Sequence, residues 1–294
     1  MPILMESPLP NRTYRGKVRD TYDLGDRLLI VATDRLSAFD VVLPTAIPEK
    51  GKVLSQMSAW WFERTAQVLP NHFIRLADGT AADDLPFALP PELIGRSTIA
   101  RKARRIDAEC IVRGYLSGSA WVEYEKWGTV NGVRMPKGMQ ESEQFPEPLF
   151  TPTTKAEEGH DEPMTFSDLM QEVGPEAAQV LRLRSIALYN YAAAYALERG
   201  IIIADTKFEF GWLGDELIVI DEILTPDSSR FWAVADYKAG QPQASFDKQY
   251  VRDWLTRSGW NRQAPGPELP PDVVEGTANR YKEAYRLLTG QEVR

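Results

Sequence analysis

A long helix and a charged β-hairpin follow one another through a single glycine, Gly200, and this junction constrains the middle of the chain most strongly. Pro175 stands at a first-turn position, Gly200 follows the last turn, and strong helix formers fill residues 177–199. Leu188, Tyr191, Ala192 and Tyr195 recur at helical spacing and predict a core-facing stripe. Beyond Gly200 the chain reads IIIADTKFEFGWLGDELIVIDE, two strands joined by a short Gly-containing loop. Side chains alternate across a strand, so Asp205, Lys207 and Glu209 share one face. That face begins with Ile201 and Ile203, so the charges are expected to continue an apolar stripe. A three-residue loop centred on Gly214 would put Glu209 opposite Asp221. Two facing carboxylates repel unless a proton or a cation lies between them. A divalent metal with Lys207 beside it would serve phosphate chemistry; a polar strand face open to water explains the same residues.

At 294 residues the chain exceeds the usual size of one domain and can bury a substantial core. Its formal net charge of −8 argues against a nucleic-acid-binding surface while leaving room for a local basic pocket. A single cysteine, Cys110, rules out an intramolecular disulfide framework and a Cys-rich zinc site. It lies in a strand-like run, Glu-Cys-Ile-Val, and reads as a buried structural thiol. The only histidines are His72 and His160, which leaves no His-based metal cluster. No apolar run approaches the ~18 residues of a membrane span and no signal-peptide pattern opens the sequence, so a cytoplasmic location is expected.

The first third is β-rich: residues 16–23 lead through the turn 24–26 into residues 27–33. An amphipathic helix is expected over residues 55–68, a loop-rich patch over 78–91, and a further β pattern over 97–112. Gly and Pro make residues 128–152 a surface excursion of turns. Two more helices, over residues 246–257 and 278–288, close the chain around a Pro-rich link.

No G-x-x-x-x-G-K-[ST] loop, G-x-G-x-x-G fingerprint, G-x-S-x-G elbow or H-E-x-x-H motif occurs, which weighs against the enzyme classes they mark. Polar clusters remain. In Gly16-Lys17-Val18-Arg19-Asp20 a glycine admits close approach of a ligand, and cations at i and i+2 of a strand point the same way. That suits a polyphosphate; an exposed basic edge strand looks the same. Residues 34–40, Asp-Arg-Leu-Ser-Ala-Phe-Asp, follow an apolar strand and either face a ligand crevice or form a turn capped by Asp34 and Ser37. Residues 112–120 pass from strand to helix; Gly118 and Ser119 would expose backbone N–H groups to an anion, with Arg113 as a planar fork. A tightly packed turn has the same look. Lys155 could meet a nucleotide, whereas Glu157, Glu158, His160, Asp161 and Glu162 read as a solvated loop. Asp221 and Glu222, followed by Arg230, place a metal ligand and an anion clamp close in sequence.

Together the segments GKVRDTYD, DRLSAFD, ECIVRGYLSGSAW, TPTTKAEEGHDEP, ADTKFEFG, IDEILTPDSSRFW and SFDKQYVRDWL resemble the SAICAR synthetase (phosphoribosylaminoimidazole-succinocarboxamide synthase) family of purine biosynthesis. They stand in the family's order from about residue 14 to residue 255, and the spacing resembles the family's longer branch. The resemblance implies an ATP-dependent ligase that joins L-aspartate to the carboxylate of carboxyaminoimidazole ribonucleotide, releasing ADP and phosphate, with Mg²⁺ as cofactor. A small-molecule kinase and a non-catalytic nucleotide-binding module are the alternatives.

The implied fold is α+β and two-lobed, with a β-rich N-terminal lobe over residues 1–105 and a larger α+β lobe over 106–294. It would be similar in outline to ATP-grasp proteins and protein kinases. By the same resemblance Gly16, Lys17 and Arg19 would cover the ATP phosphates. Residues 103–106, with Arg105, would form the adenine hinge, and Lys155 would approach the nucleotide. Glu209 and Asp221 would hold Mg²⁺, and Lys207 would steady the migrating phosphoryl group. Arg113, Ser119 and Arg230 would bind the ribonucleotide. Ser37 and the 34–40 loop would shape the aspartate side. Asp205, Asp247 and Lys248 belong to matching motifs without an assigned contact.

Overall fold

The computed structural model describes residues 3–155, 162–246 and 248–294. The chain begins with strands β1 (Tyr14–Arg15), β2 (Arg19–Asp23) and β3 (Arg27–Ala32), then the small hairpin β4 (Ser37–Ala38) and β5 (Val41–Val42). Helix α1 (Lys50–Thr65) precedes β6 (Phe73–Leu76) and β7 (Ser97–Arg101). Five of these strands form an antiparallel sheet in the order β1-β2-β3-β7-β6. Lys102 and Ala103 then lead into β8 (Arg104–Tyr115), the first strand of a second sheet.

After β8 come α2 (Ser119–Trp127), the hairpin β9 (Thr129–Val130) and β10 (Val133–Arg134), β11 (Gln144–Phe150) and β12 (Thr153–Thr154). Helices α3 (Phe166–Val173) and α4 (Pro175–Leu197) follow, then β13 (Ile201–Leu213), β14 (Glu216–Ile220), β15 (Ser229–Ala233), α5 (Gln249–Arg257) and α6 (Pro271–Thr289). The second sheet runs β11-β8-β13-β14, with β12 on β8 and β15 on β13. The chain is thus α+β, as expected.

The long helix is where the sequence predicts it, with Pro175 at its start and Gly200 at φ 78° after its end. Leu188 and Ala192 are fully buried, and Tyr191 and Tyr195 pack against the same core. That core is sandwiched between the second sheet and α1, α4 and α6; it joins Trp61, Phe62, Leu188 and Tyr281 to Val112, Phe208 and Phe210. Helix α1 begins at Lys50 rather than near residue 55 and is buried on most sides, because it lies inside this core instead of covering its edge. Asp34 accepts the Gly51 N–H at 3.0 Å, tying the helix start to the end of β3. Residues 128–152 are not only turns: β11 pairs with β8 and buries Phe145. The last helix is longer than expected, because Pro271 can open it at a position that needs no N–H donor.

Two expectations for the hairpin fail. The turn contains two residues, Gly214 and Asp215, since Leu213 pairs with Glu216. Gly214 alone takes positive φ, as a tight II′-type turn requires, so Glu209 lies opposite Ile220 and not Asp221. A bulge also separates Ile203, opposite Phe231, from Asp205, opposite Arg230. The extra residue, Ala204, reverses the alternation. Ile201 and Ile203 therefore enter the same core as Phe208 and Phe210, while Asp205, Lys207 and Glu209 occupy the opposite face.

Candidate active site

Strand β13 carries the site because it pairs with β8 on one side and with β15, then β14, on the other. Strand β14 ends at Ile220, opposite Glu209, and β15 begins at Ser229, opposite Thr206. The loop between them therefore leaves the sheet beside Lys207, whose N–H donates to Ser228 O at 2.9 Å. Asp221, at φ 68°, is the first residue of that loop. Pairing sets Ile220 opposite Glu209, and Asp221 is the next residue along the chain.

Around Lys207 the charges alternate in sign. Its ammonium donates to Glu109 and lies 3.6 Å from Glu209 Oε1. Lys155 pairs with Glu209, and Arg19 Nη2 donates to Asp221 Oδ2 at 2.6 Å, with Glu222 3.7 Å from its Nη1. Burial alone would lower the Lys207 pKa, but Glu209 and Glu109 outweigh it and the value is raised. For Asp221 burial acts upward and is outweighed by Arg19, Lys155 and Lys207, so the carboxyl is held below its usual range. Burial raises the neighbouring Glu222. Burial also holds His72 down, to about 4; the neutral ring meets the Asp221 carbonyl at 3.1 Å, so Nε2 carries the proton.

A second cluster lies toward the start of β13. Arg113, Asp205 and Arg230 are direct partners on three adjacent strands. Arg113 donates to Thr151 Oγ1 at 3.0 Å, Ser119 Oγ at 3.2 Å and Asp205 Oδ2 at 3.4 Å. Arg230 donates to Ser117 Oγ at 2.9 Å and to Asp205. Gly118 has φ 59° at the N-terminus of α2, and a Cβ there would stand 2.6 Å from Arg230 Nη2. The glycine thus makes room for a guanidinium as well as a backbone turn. Two arginines, two serines and a helix N-terminus gather around one carboxylate, a donor set chemically suited to an anion that carries hydroxyl groups.

Lys17 and Arg19 part company, against the expectation of one shared strand face. Strand β2 starts at Arg19, and Lys17 lies in the bend of the β1–β2 hairpin, where it pairs with Asp40. Segment 34–40 turns Arg35 and Asp40 onto this bend. Ser37 is buried in β4. Arg105 folds back on Asp107, 2.9 Å from its Nε, and is 40% exposed. Cys110 is buried and its thiol is pushed up to about 12. Lys248 lies 3.4 Å from Asp227, which also accepts from the buried Lys50 at 2.7 Å. Asp247 and residues 157, 158, 160 and 161 lie outside the described residues.

The structure adds Glu109, Ser117 and Thr151 to these clusters and pairs Glu222, already singled out beside Asp221, with Arg19. Glu109 had a usable signal, since period-two alternation puts it on the Arg113 face of a strand already expected. The 221–228 loop showed its acidic pair in the sequence, but not its path, which depends on where two short strands stop.

The SAICAR synthetase family profile matches residues 12–267. The chain belongs to the SAICAR synthetase family. A phosphoribosylaminoimidazole-succinocarboxamide synthase of Thermodesulfovibrio yellowstonii is 52% identical over 278 residues, which cover 94% of each chain. The SAICAR synthase of Saccharomyces cerevisiae, solved in complex with SAICAR, shares 43% identity with a TM-score of 0.86 and covers 99% of this chain and 98% of its own. A SAICAR synthetase solved in complex with ADP has a TM-score of 0.71 at 21% identity, covering 96% and 99% of the two chains, and supports the fold. Membership in the SAICAR synthetase family sets aside the small-molecule kinase and the non-catalytic nucleotide-binding module. Among the described residues no helix is long and apolar enough to cross a membrane.

Proposed function

We propose that this site joins L-aspartate to the carboxylate of carboxyaminoimidazole ribonucleotide at the expense of ATP, giving SAICAR, ADP and phosphate. The observation that carries the reading is the row of partners along β13. Asp205, between Arg113 and Arg230, stands four residues from Glu209, or about 13 Å along the strand, with Lys207 midway. A substrate with a phosphate at one end and a carboxylate at the other matches that spacing. Arg113, Arg230 and Ser119 would grip the phosphate end, and Asp205 would orient the two arginines while accepting from ribose hydroxyls.

A carboxylate is a poor electrophile, so one of its oxygens must first take the γ-phosphoryl group from ATP, with ADP leaving. The aspartate amine then attacks the carboxyl carbon, the amide bond forms, phosphate departs with that oxygen, and the amine loses a proton. Lys207, held protonated between Glu109 and Glu209, would neutralise charge on the oxygens between which the phosphoryl group moves. Gly16 and Lys17 would cover the phosphates, and residues 103–106, where the two sheets join, would meet adenine. This assigns the nucleotide to the cleft between a β-rich lobe near residues 1–105 and the remainder.

Glu209 and Asp221 fit Mg²⁺. They present hard oxygen donors neutralised here by Lys155, Lys207 and Arg19. Water and the substrate phosphates would supply the ion's other ligands. When bound, Mg²⁺ would supply charge neutralisation at the β- and γ-phosphates. The reading assigns the reaction to the cytoplasm.

The test is coupled ADP release with ATP, the ribonucleotide and a panel of amino acids. Release that requires the ribonucleotide and L-aspartate together supports the ligase; release indifferent to aspartate sinks it.

A further inference from the structure

The bend that joins β1 to β2 has its backbone polarity sorted. All four carbonyls of residues 16–19 are taken from within the protein. Arg35 Nη2 donates to Gly16 O at 3.0 Å and Arg35 Nε to Lys17 O at 3.1 Å. Thr33 donates to Val18 O twice, from Oγ1 at 2.8 Å and from its N–H at 3.0 Å. Gly16 N–H closes on Arg19 O at 2.8 Å. The N–H groups of Lys17 and Val18, by contrast, meet no acceptor among the described residues. Successive unpaired N–H groups form a concavity that attracts anions.

Arg35 divides its donors between the bend and two other partners. Its side chain is 2% exposed, and its remaining bonds go to Met5 O at 2.6 Å and Asp20 Oδ1 at 2.8 Å. Asp20 is itself fully buried and also accepts from the Ser7 N–H at 2.9 Å. A guanidinium is suited to this because its rigid fork serves several acceptors at once, which an ammonium on a flexible stem does not.

We infer that Arg35 and Thr33 are positioning residues that fix the polarity of the Gly16 bend, drawing its carbonyls inward so that the Lys17 and Val18 N–H groups face the phosphates of the nucleotide. The inference rests on the reading that this bend covers ATP. It gives part of the 34–40 motif a task on the nucleotide side of the site. The bend then needs no phosphate-loop glycine pattern, because the orientation that such a loop draws from its own backbone comes here from a buried arginine on the neighbouring segment.

The test uses Arg35→Lys, which keeps a cation beside Asp20 but loses the fork, and Thr33→Val, which removes one donor at nearly constant shape. Affinities for ATP and adenosine are measured by competition calorimetry, together with thermal midpoints and the KM for the ribonucleotide. Each variant is expected to weaken ATP about tenfold (about 1.4 kcal/mol), with adenosine affinity and the ribonucleotide KM within about twofold. Lower thermal midpoints with unchanged ATP affinity would overturn the inference, as would equal weakening of ATP and adenosine. Lys17→Ala separates the two levels. If ATP affinity is unchanged in Lys17→Ala and in Thr33→Val and Arg35→Lys alike, the bend does not cover the phosphates and the inference falls with that reading. If Lys17→Ala weakens ATP while Thr33→Val and Arg35→Lys do not, only the positioning role is lost.

Discussion

Gly118→Ala is a sharp test of the anion cluster, because one methyl group challenges both backbone and ligand. Gly118 sits at φ 59° and ψ −131°, a region open in practice to glycine, and placing alanine there costs about 1–3 kcal/mol. At roughly 2 °C per kcal/mol for a chain of this size, the melting temperature should fall by about 2–6 °C. The new Cβ would stand 2.6 Å from Arg230 Nη2, 2.8 Å from Nη1 and 3.0 Å from Cζ. The guanidinium is the flexible partner, so it moves and gives up its bonds to Ser117 and Asp205. Losing one hydrogen bond between charged groups costs about 1.5–3 kcal/mol, so kcat/KM for the ribonucleotide should fall about 10- to 150-fold. Steady-state kinetics at saturating ATP and aspartate read this directly, with the KM for ATP as the internal control. A variant that melts lower but keeps its kcat/KM for the ribonucleotide would show that Arg230 does not hold the substrate.

Glu209→Gln and Asp221→Asn should each cut Mg²⁺-dependent turnover by at least about a hundredfold with the circular dichroism spectrum preserved, and near-normal rates would remove them as metal ligands. Glu109→Gln deprives Lys207 of one carboxylate partner, so kcat should drop about 10- to 100-fold while the KM for ATP stays within about twofold; a change confined to KM would refute a role beside the migrating phosphoryl group. Cys110 is buried and its thiol is raised to about 12. The native protein should therefore resist a disulfide reagent at pH 8 that labels the unfolded chain at once. Because the unfolded thiol ionises at lower pH than the folded one, Cys110 should also favour unfolding as pH climbs past about 9. Rapid labelling of the native enzyme, or a loss of this slope's sign, would contradict its burial.

Much of the fold was legible because it rests on local signals. Pro175 and Gly200 bracket α4 by backbone chemistry alone, and the alternation along β13 put Asp205, Lys207 and Glu209 on one face, as observed. The seven motifs then assembled the candidate site across nearly the whole chain. The errors came from one-residue effects. The bulge at Ala204 reverses which face Ile201 and Ile203 occupy, and a two-residue turn shifts Glu209 from Asp221 to Ile220. Neither has a composition of its own, since strand pairing decides them. Helix α1 was misplaced for a related reason: its burial is set by packing against β3, β6, β7 and the distant α6, which its own composition does not announce.

The central claim is that the ribonucleotide carboxylate is activated by the γ-phosphoryl group before the aspartate amine attacks. Labelling that carboxylate with ¹⁸O and analysing the products by mass spectrometry tests it most directly. The account predicts that one ¹⁸O per turnover appears in inorganic phosphate and the other stays in the amide carbonyl. Phosphate free of ¹⁸O, formed in step with product, would contradict it.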